Sequence, residues 1–134
     1  MTKKQVLIVD DEALVLRVLK LALERAGYEV EARPNGEAAF ERILERRPDV
    51  LITDIEMPRM TGEELCKKIH EELPERKFPI FVATSVTAIE HRIWSEKIPN
   101  LRFLEKPVSA SRLLEAVAAV LSGASAQAIR RTTA

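Results

Sequence analysis

Cysteine is almost missing from this chain: Cys66 stands alone among 134 residues, so no internal disulfide can form. A secreted domain of this size more often carries an even set, and a single thiol fits a reducing compartment such as the cytoplasm. Histidine is nearly as scarce, with only His70 and His91, so no Cys–His cluster is on offer to zinc. Long apolar runs are missing too. The opening MTKKQ leads into only four apolar residues, VLIV, shorter than a signal-peptide core and far short of a membrane-spanning helix. An excess of one charge is also absent: 21 basic and 21 acidic residues give a formal net charge of zero, without the field that draws nucleic acid or anionic membrane. Neither is expected as a direct partner.

What is present is alternation. A length of 134 residues suits one domain, able to bury a layered core without disulfide or metal staples. VLIV from Val6 is continuously apolar, and Ala13 to Ala26 then places Val15, Val18, Leu19, Ala22, Leu23 and Ala26 at helical spacing before Gly27 stops the helix. Tyr28 to Ala32 alternates strictly, as a strand with one wet face does. Asn35 is an N-cap candidate for a second helix with Phe40, Ile43 and Leu44 as its stripe, closed by Pro48. Val50 to Thr53 is apolar again, Thr61 to Leu73 is helical through Leu65, Ile69 and Leu73, and Ile80 to Ala83 is another buried run. Ala88 to Ile98 is predicted as a fourth helix ended by Pro99, Leu101 to Glu105 as a strand of mixed polarity, and Leu113, Leu114, Val117, Val120 and Leu121 as the stripe of a last helix capped by Ser109 or Ser111.

Strand and helix in strict succession predict an α/β fold: a single doubly wound, five-stranded parallel sheet with five helices, a three-layer α/β/α arrangement. The all-apolar runs need both faces covered, whereas the strands at Tyr28 and Leu101 tolerate water. The strand order 2-1-3-4-5 follows, with a crevice at the carboxyl ends where the winding reverses between the first and third strands.

Four apolar runs end there in residues that phosphoryl chemistry can use: Asp10 and Asp11, Asp54, Thr84, and Lys106. Carboxylates crowded together repel, by about 4 kcal/mol for one pair ~4 Å apart at an effective dielectric of roughly 20. A divalent cation offsets this, and hard oxygen donors favour magnesium over zinc. Asp10 and Asp11 taken alone read as helix-capping residues. Asp54 does not, because Ile55-Glu56-Met57-Pro58 behind it is a loop.

VLIVDDE, DIEMPRMTG, VATS and EKP, in this order and spacing, make the chain resemble the receiver domain of bacterial two-component response regulators over Gln5 to Leu121. The resemblance implies a receiver domain at 1–121 and a tail or linker at 122–134. It implies that Asp54 is the phosphoacceptor, that Asp11 and Asp10 hold magnesium with Asp54 and the backbone carbonyl of Glu56, that Thr84 hydrogen-bonds a phosphoryl oxygen, and that Lys106 pairs with another. It also implies a cis bond between Lys106 and Pro107, and an inward movement of Phe103 that follows Thr84. The donor is then a histidine kinase or a histidine phosphotransfer protein, with Leu14 on the first helix a candidate contact. The output face is the fourth helix, fifth strand and fifth helix, bringing Ile89, Ile93, Trp94 and Arg102 to a downstream protein target or a linked output domain.

On this reading the protein is a switch rather than an enzyme with an outside substrate, and its own phosphatase chemistry times the signal. Glu56 is expected to alter phosphoryl lifetime, and Val86 offers no opposing charge. Phe103 reads equally, at rest, as an edge-strand aromatic packed on the last helix, and the two readings can hold in turn. The bland readings stand beside these. Trp94 reads equally as a core anchor, Cys66 as a small buried hydrophobe, His91 as a solvated side chain, and the exposed leucines of the first helix as scattered or as the seam of a homodimer. Two other functions share the residues. An aspartate-nucleophile phosphohydrolase would need Asp-x-Asp on the first strand, where this chain has Asp54-Ile55-Glu56 on the third; an interaction module without chemistry is disfavoured by the complete acceptor set.

Overall fold

The computed structural model describes residues 3–85 and 93–122. Strand β1 (Gln5–Val9) leads to helix α1 (Ala13–Arg25), β2 (Glu29–Arg33), α2 (Gly36–Glu45), β3 (Val50–Asp54), α3 (Gly62–Glu72) and β4 (Ile80–Thr84). A helical stretch α4 at 93–95 precedes β5 (Leu101–Glu105) and α5 (Ala110–Leu121). All five strands are parallel in the order β2-β1-β3-β4-β5. The predicted order and the predicted edge strands are therefore the observed ones. Of the segment predicted as the fourth helix, residues 88–92 lie outside the described residues, as do Val86, Ile89, His91 and 123–134 of the tail.

Side chains in a strand alternate between faces, so each apolar run feeds two cores. Val6, Ile8, Val50, Ile52 and Phe81 pack under α1 and α5 with Leu23, Leu113, Ala116 and Val117. Leu7, Val9, Leu51, Ile80 and Val82 pack on the opposite face with Phe40, Ile43, Leu65 and Ile69 of α2 and α3. Strands β1, β3 and β4 are buried along their whole length, which is why their sequences carry no polar alternation.

The helix ends are set by local chemistry. Gly27, at φ +101°, lets its N–H reach the Glu24 carbonyl and the Tyr28 N–H reach Leu23, closing α1 in a left-handed cap. Asn35 Oδ1 accepts from the Ala38 N–H at 2.8 Å, as predicted. Thr61 and Glu64 cap α3 reciprocally, each side chain taking the other's backbone N–H. Ser109 caps α5 through the Arg112 N–H.

Some predicted core positions lie elsewhere. Val18 and Leu44, counted into apolar stripes, are exposed, as is Ala26. Leu16 is packed into the core instead, because the helix turns its 16–19–23 line, and not its 18–22–26 line, toward the sheet. Strand β2 runs one residue later than the alternation suggested, with Tyr28 half-buried just before it.

Cys66 is buried in the α3 core, and that burial pushes its thiol up to about 12. The folded protein should resist alkylation by a maleimide at neutral pH and react fully in denaturant. Rapid labelling of the folded chain would contradict this packing.

Candidate functional site

Strand register builds the site. Val9 lies opposite Thr53, Asp54 opposite Ala83, and Thr84 opposite Glu105, so the residues at and just past these strand ends share one edge. The ladder continues beyond the strands: the Asp10 N–H donates to the Arg33 carbonyl, Ile55 to Ala83 at 3.0 Å and Lys106 to Thr84 at 2.9 Å. Backbone hydrogen bonds thus fix the chain on which the side chains stand.

Asp10, Asp11 and Asp54 each present a carboxylate oxygen within 4.8 Å of the others. Asp54 is 3% exposed and Asp10 is buried, whereas Asp11 faces solvent. Neither Asp10 nor Asp11 caps α1. The N-cap is Glu12, which makes no side-chain cap, while Asp10 Oδ1 accepts the Glu12 N–H at 2.9 Å and is held in place. Burial raises the Asp10 carboxyl above its ordinary range, the Glu12 N–H pulls it back, and the negative Asp54 raises it again.

The counter-charge is Lys106, whose ammonium pairs with Asp54 Oδ1. Partial burial pulls the lysine down, but the bond and charge of Asp54, with the charges of Asp10 and Glu12, more than offset this and hold it above the usual lysine range. One ammonium among three carboxylates leaves the cluster electron-rich, and hard oxygen donors at this spacing fit a magnesium ion. The Lys106–Pro107 bond is cis. Thr84 is buried at the end of β4.

The segment from Ile55 to Thr61 frames the open side. Asp11, Asp54, Glu56, Met57 and Lys106 line a polar cleft there, with the Glu56 side chain in solvent. Two glycines fix this segment. The Gly62 N–H donates to the Ile55 carbonyl at 2.9 Å, and a Cβ on Gly62 would lie 2.3 Å from the Asp54 carbonyl oxygen. A Cβ on Gly36 would meet the Met60 backbone at 2.8 Å. Arg59, at φ +67°, makes the left-handed bend between them. Sequence reasoning missed these positioning residues; Gly62 directly after the Thr61 cap was the available signal.

A second, more apolar cleft joins the site beside α1, lined by Val15, Leu19, Pro107 and Val108 together with Asp10 and Lys106. Next to it Leu14, Val18 and Leu21 form an exposed stripe on α1 at 71%, 52% and 46%.

On the β5 side, Phe103 does not rest on the last helix. Leu101 and Phe103 face the α2/α3 core while Leu104 packs with α5, so alternation turns Phe103 toward Trp94. The two rings meet edge to face at 5.8 Å and 84°. Trp94 is half-buried, between the two sequence readings, while Ile93 is 79% exposed. Arg102 is half-buried and donates to the Leu101 carbonyl.

The family model described as response regulator receiver domain matches residues 6–118. Among solved structures, the chain is similar to the chemotaxis response regulator CheY4 of Vibrio cholerae, with TM-score 0.80 and 32% identity over 89% of this chain and 99% of that one. A CheY-like receiver domain protein from Methanospirillum hungatei gives TM-score 0.82 at 30% identity, covering 91% of this chain and 96% of that one. Curated relatives include the phosphate regulon transcriptional regulatory protein PhoB of Pseudomonas aeruginosa, 31% identical over 90% of this chain and 53% of that protein. The alkaline phosphatase synthesis transcriptional regulatory protein PhoP of Bacillus subtilis is 29% identical over 88% of this chain and 48% of its own length. The chain spans about half the length of these curated relatives. No described helix is long and apolar enough to cross a membrane.

Proposed function

The chain belongs to the response regulator receiver domains of two-component systems, and from that membership we propose that Asp54 accepts a phosphoryl group from the phosphohistidine of a histidine kinase or histidine phosphotransfer protein. The observation that carries this is the buried Asp54 carboxylate, held between the Lys106 ammonium and the carboxylates of Asp10 and Asp11. An Asp54 oxygen bonds to phosphorus as the nitrogen–phosphorus bond of the donor breaks. The histidine nitrogen leaves with that bond's electron pair, and an acyl phosphate remains. Lys106 can follow the negative oxygens of the transferring group, and the Thr84 hydroxyl binds another of them. Positioning and charge supply the catalysis.

Asp10, Asp11, Asp54 and the Glu56 carbonyl would hold magnesium, which when bound neutralises charge on the phosphoryl oxygens. Water entering the open cleft later attacks the acyl phosphate, so the protein times its own signal. Glu56 stands at that entrance. Glu56→Ala should change the half-life of the phosphorylated form by roughly two- to tenfold, the factor that about 0.5–1.4 kcal/mol of local electrostatics gives; an unchanged acceptance rate and an unchanged half-life together would refute the role.

The donor docks on α1 around Leu14. Phe103, moving with Thr84, carries the state to the face containing Ile93, Trp94 and Arg102, where a linked output domain or a separate protein reads it. The test is intact mass after incubation with a small phosphodonor and magnesium. A labile gain of one phosphoryl group, absent in Asp54→Ala and with chelator, is expected. Sustained phosphate release from many esters would favour a hydrolase instead.

A further inference from the structure

The amino ends of the strands form the edge of the sheet opposite the phosphoacceptor, and a cleft of about 270 Å³ opens there. Lys3, Lys4, Arg46, Arg47 and Asp49 line it with Gln5. Four cations thus gather around one acid, in a chain whose 21 basic and 21 acidic residues balance overall.

The backbone that carries these side chains is pinned. The Gln5 N–H donates to Asp49 Oδ2 at 2.7 Å, and the Asp49 N–H donates to the Gln5 carbonyl at 2.8 Å, which ties the connection between α2 and β3 to the start of β1. The Glu29 N–H donates to the Lys4 carbonyl at 2.9 Å. On the other wall Arg42 Nη1 donates to the Arg46 carbonyl at 3.0 Å, and Pro48 favours an extended backbone at Arg47. Both walls are set before any ligand arrives.

Ordinary roles leave much of this charge unused. A cation near a helix C-terminus offsets the helix dipole, but Arg42 in the last turn of α2 already does so. Arg47 is paired with Glu75 at 2.5 Å, and the Asp49 carboxylate is engaged by the Gln5 N–H. Lys3, Lys4 and Arg46 are exposed and make no ion pair among the described residues. Like charges gathered at one cleft repel, and an anion seated among them reverses the sign of that interaction.

We propose that this cleft binds a short phosphate chain, an oligophosphate held by Lys3, Lys4 and Arg46. Guanidinium and ammonium groups are the usual partners of phosphate oxygens, and adjacent phosphates can meet several of them at once. The volume lies below the roughly 300–1,000 Å³ of ordinary ligand pockets, which suits a small ion over a large organic molecule. No aromatic side chain among the described residues lines the cleft, so a nucleotide base finds no stacking partner there. The site stands at the far end of the strands from Asp54, and it does not depend on the phosphoacceptor reading.

Titration calorimetry of the whole chain with sodium tripolyphosphate tests this, in chelator so that no magnesium bridges the anion to the acceptor-site carboxylates. One-to-one binding at about 1 mM or tighter is expected in low salt. It should weaken as salt rises from about 10 to about 200 mM and screening shortens the reach of the cations. Amide NMR shifts should centre on residues 3–5 and 46–49. Lys4→Gln combined with Arg46→Gln should weaken binding roughly tenfold or more, with the circular dichroism of the parent. No saturable binding, shifts centred on Lys106, or an unchanged constant in the paired variant overturns the inference. ATP should bind no tighter than tripolyphosphate. ATP roughly tenfold tighter, or a polyglutamate peptide of equal charge binding as well, overturns the assignment to a phosphate chain. Should the paired variant not fold, Lys3→Gln and the shifts of the unsubstituted protein decide.

Discussion

Lys106→Met is expected to slow phosphoryl acceptance by roughly 100- to 1,000-fold, the usual loss when one preorganised donor is removed from a site of developing negative charge. Methionine keeps the length and much of the apolar stem but removes the charge. The ammonium is already placed against Asp54, so little reorganisation precedes its use. A second consequence follows from the same geometry. Without Lys106 the carboxylates of Asp10, Asp11 and Asp54 have no paired cation among the described residues, two of the three being buried. The variant should therefore melt below the parent in chelator and recover much of that difference in magnesium. Rates read by intact mass, with melts in chelator and in magnesium, check both. A rate within threefold of the parent would remove Lys106 from the chemistry.

Gly62→Ala is expected to destabilise the fold by about 2–3 kcal/mol, in the upper part of the range for forcing a methyl group into packed space. The glycine stands where the first turn of α3 crosses the end of β3, and its added Cβ would lie 2.3 Å from the Asp54 carbonyl oxygen and 2.9 Å from the Ile55 Cα. Those are backbone atoms and cannot rotate away. Either α3 lifts or the Asp54–Ile55 peptide moves. The second outcome displaces the phosphoacceptor, and a shift near 1 Å is enough to cost roughly 100-fold in rate. Chemical denaturation gives the stability and intact mass gives the rate. A variant as stable and as active as the parent would mean that the close approach is not maintained in solution.

The sheet and the cluster were legible because each rests on a local signal. VLIV, VLIT and IFVA carry no polar alternation, as strands buried on both faces must, and the residues following them are those the register then gathers. Order followed from polarity: Glu29, Glu31 and Arg33 of β2 and Arg102 and Glu105 of β5 suit edges.

What was not legible depends on contacts between distant segments. Val18 and Leu44 sit at the margin of an apolar stripe, where a rotation of the helix by a fraction of a turn decides between core and water. Alternation places Phe103 with Leu101 and Arg102 with Leu104, but only the packed sheet says which pair faces α5. The roles of Gly62, Gly36 and Arg59 arise from one loop pressed between two helices, a tertiary fact with little trace in spacing. Asp10 and Asp11 gave the opposite lesson. A capping role was the plain reading of an acidic pair before a helix, yet the N-cap of α1 is Glu12, without a side-chain cap, and both carboxylates remain turned to the cluster.

The most direct test of Asp54 as phosphoacceptor is to trap the acyl phosphate chemically. Borohydride reduces a phosphorylated aspartate to homoserine, and peptide mass spectrometry of the phosphorylated, reduced chain reads the position. Homoserine at 54, formed only after treatment with phosphodonor and magnesium, is the predicted result. Homoserine at 10 or 11, or a phosphoryl group stable to borohydride on a serine, threonine or histidine, would contradict it.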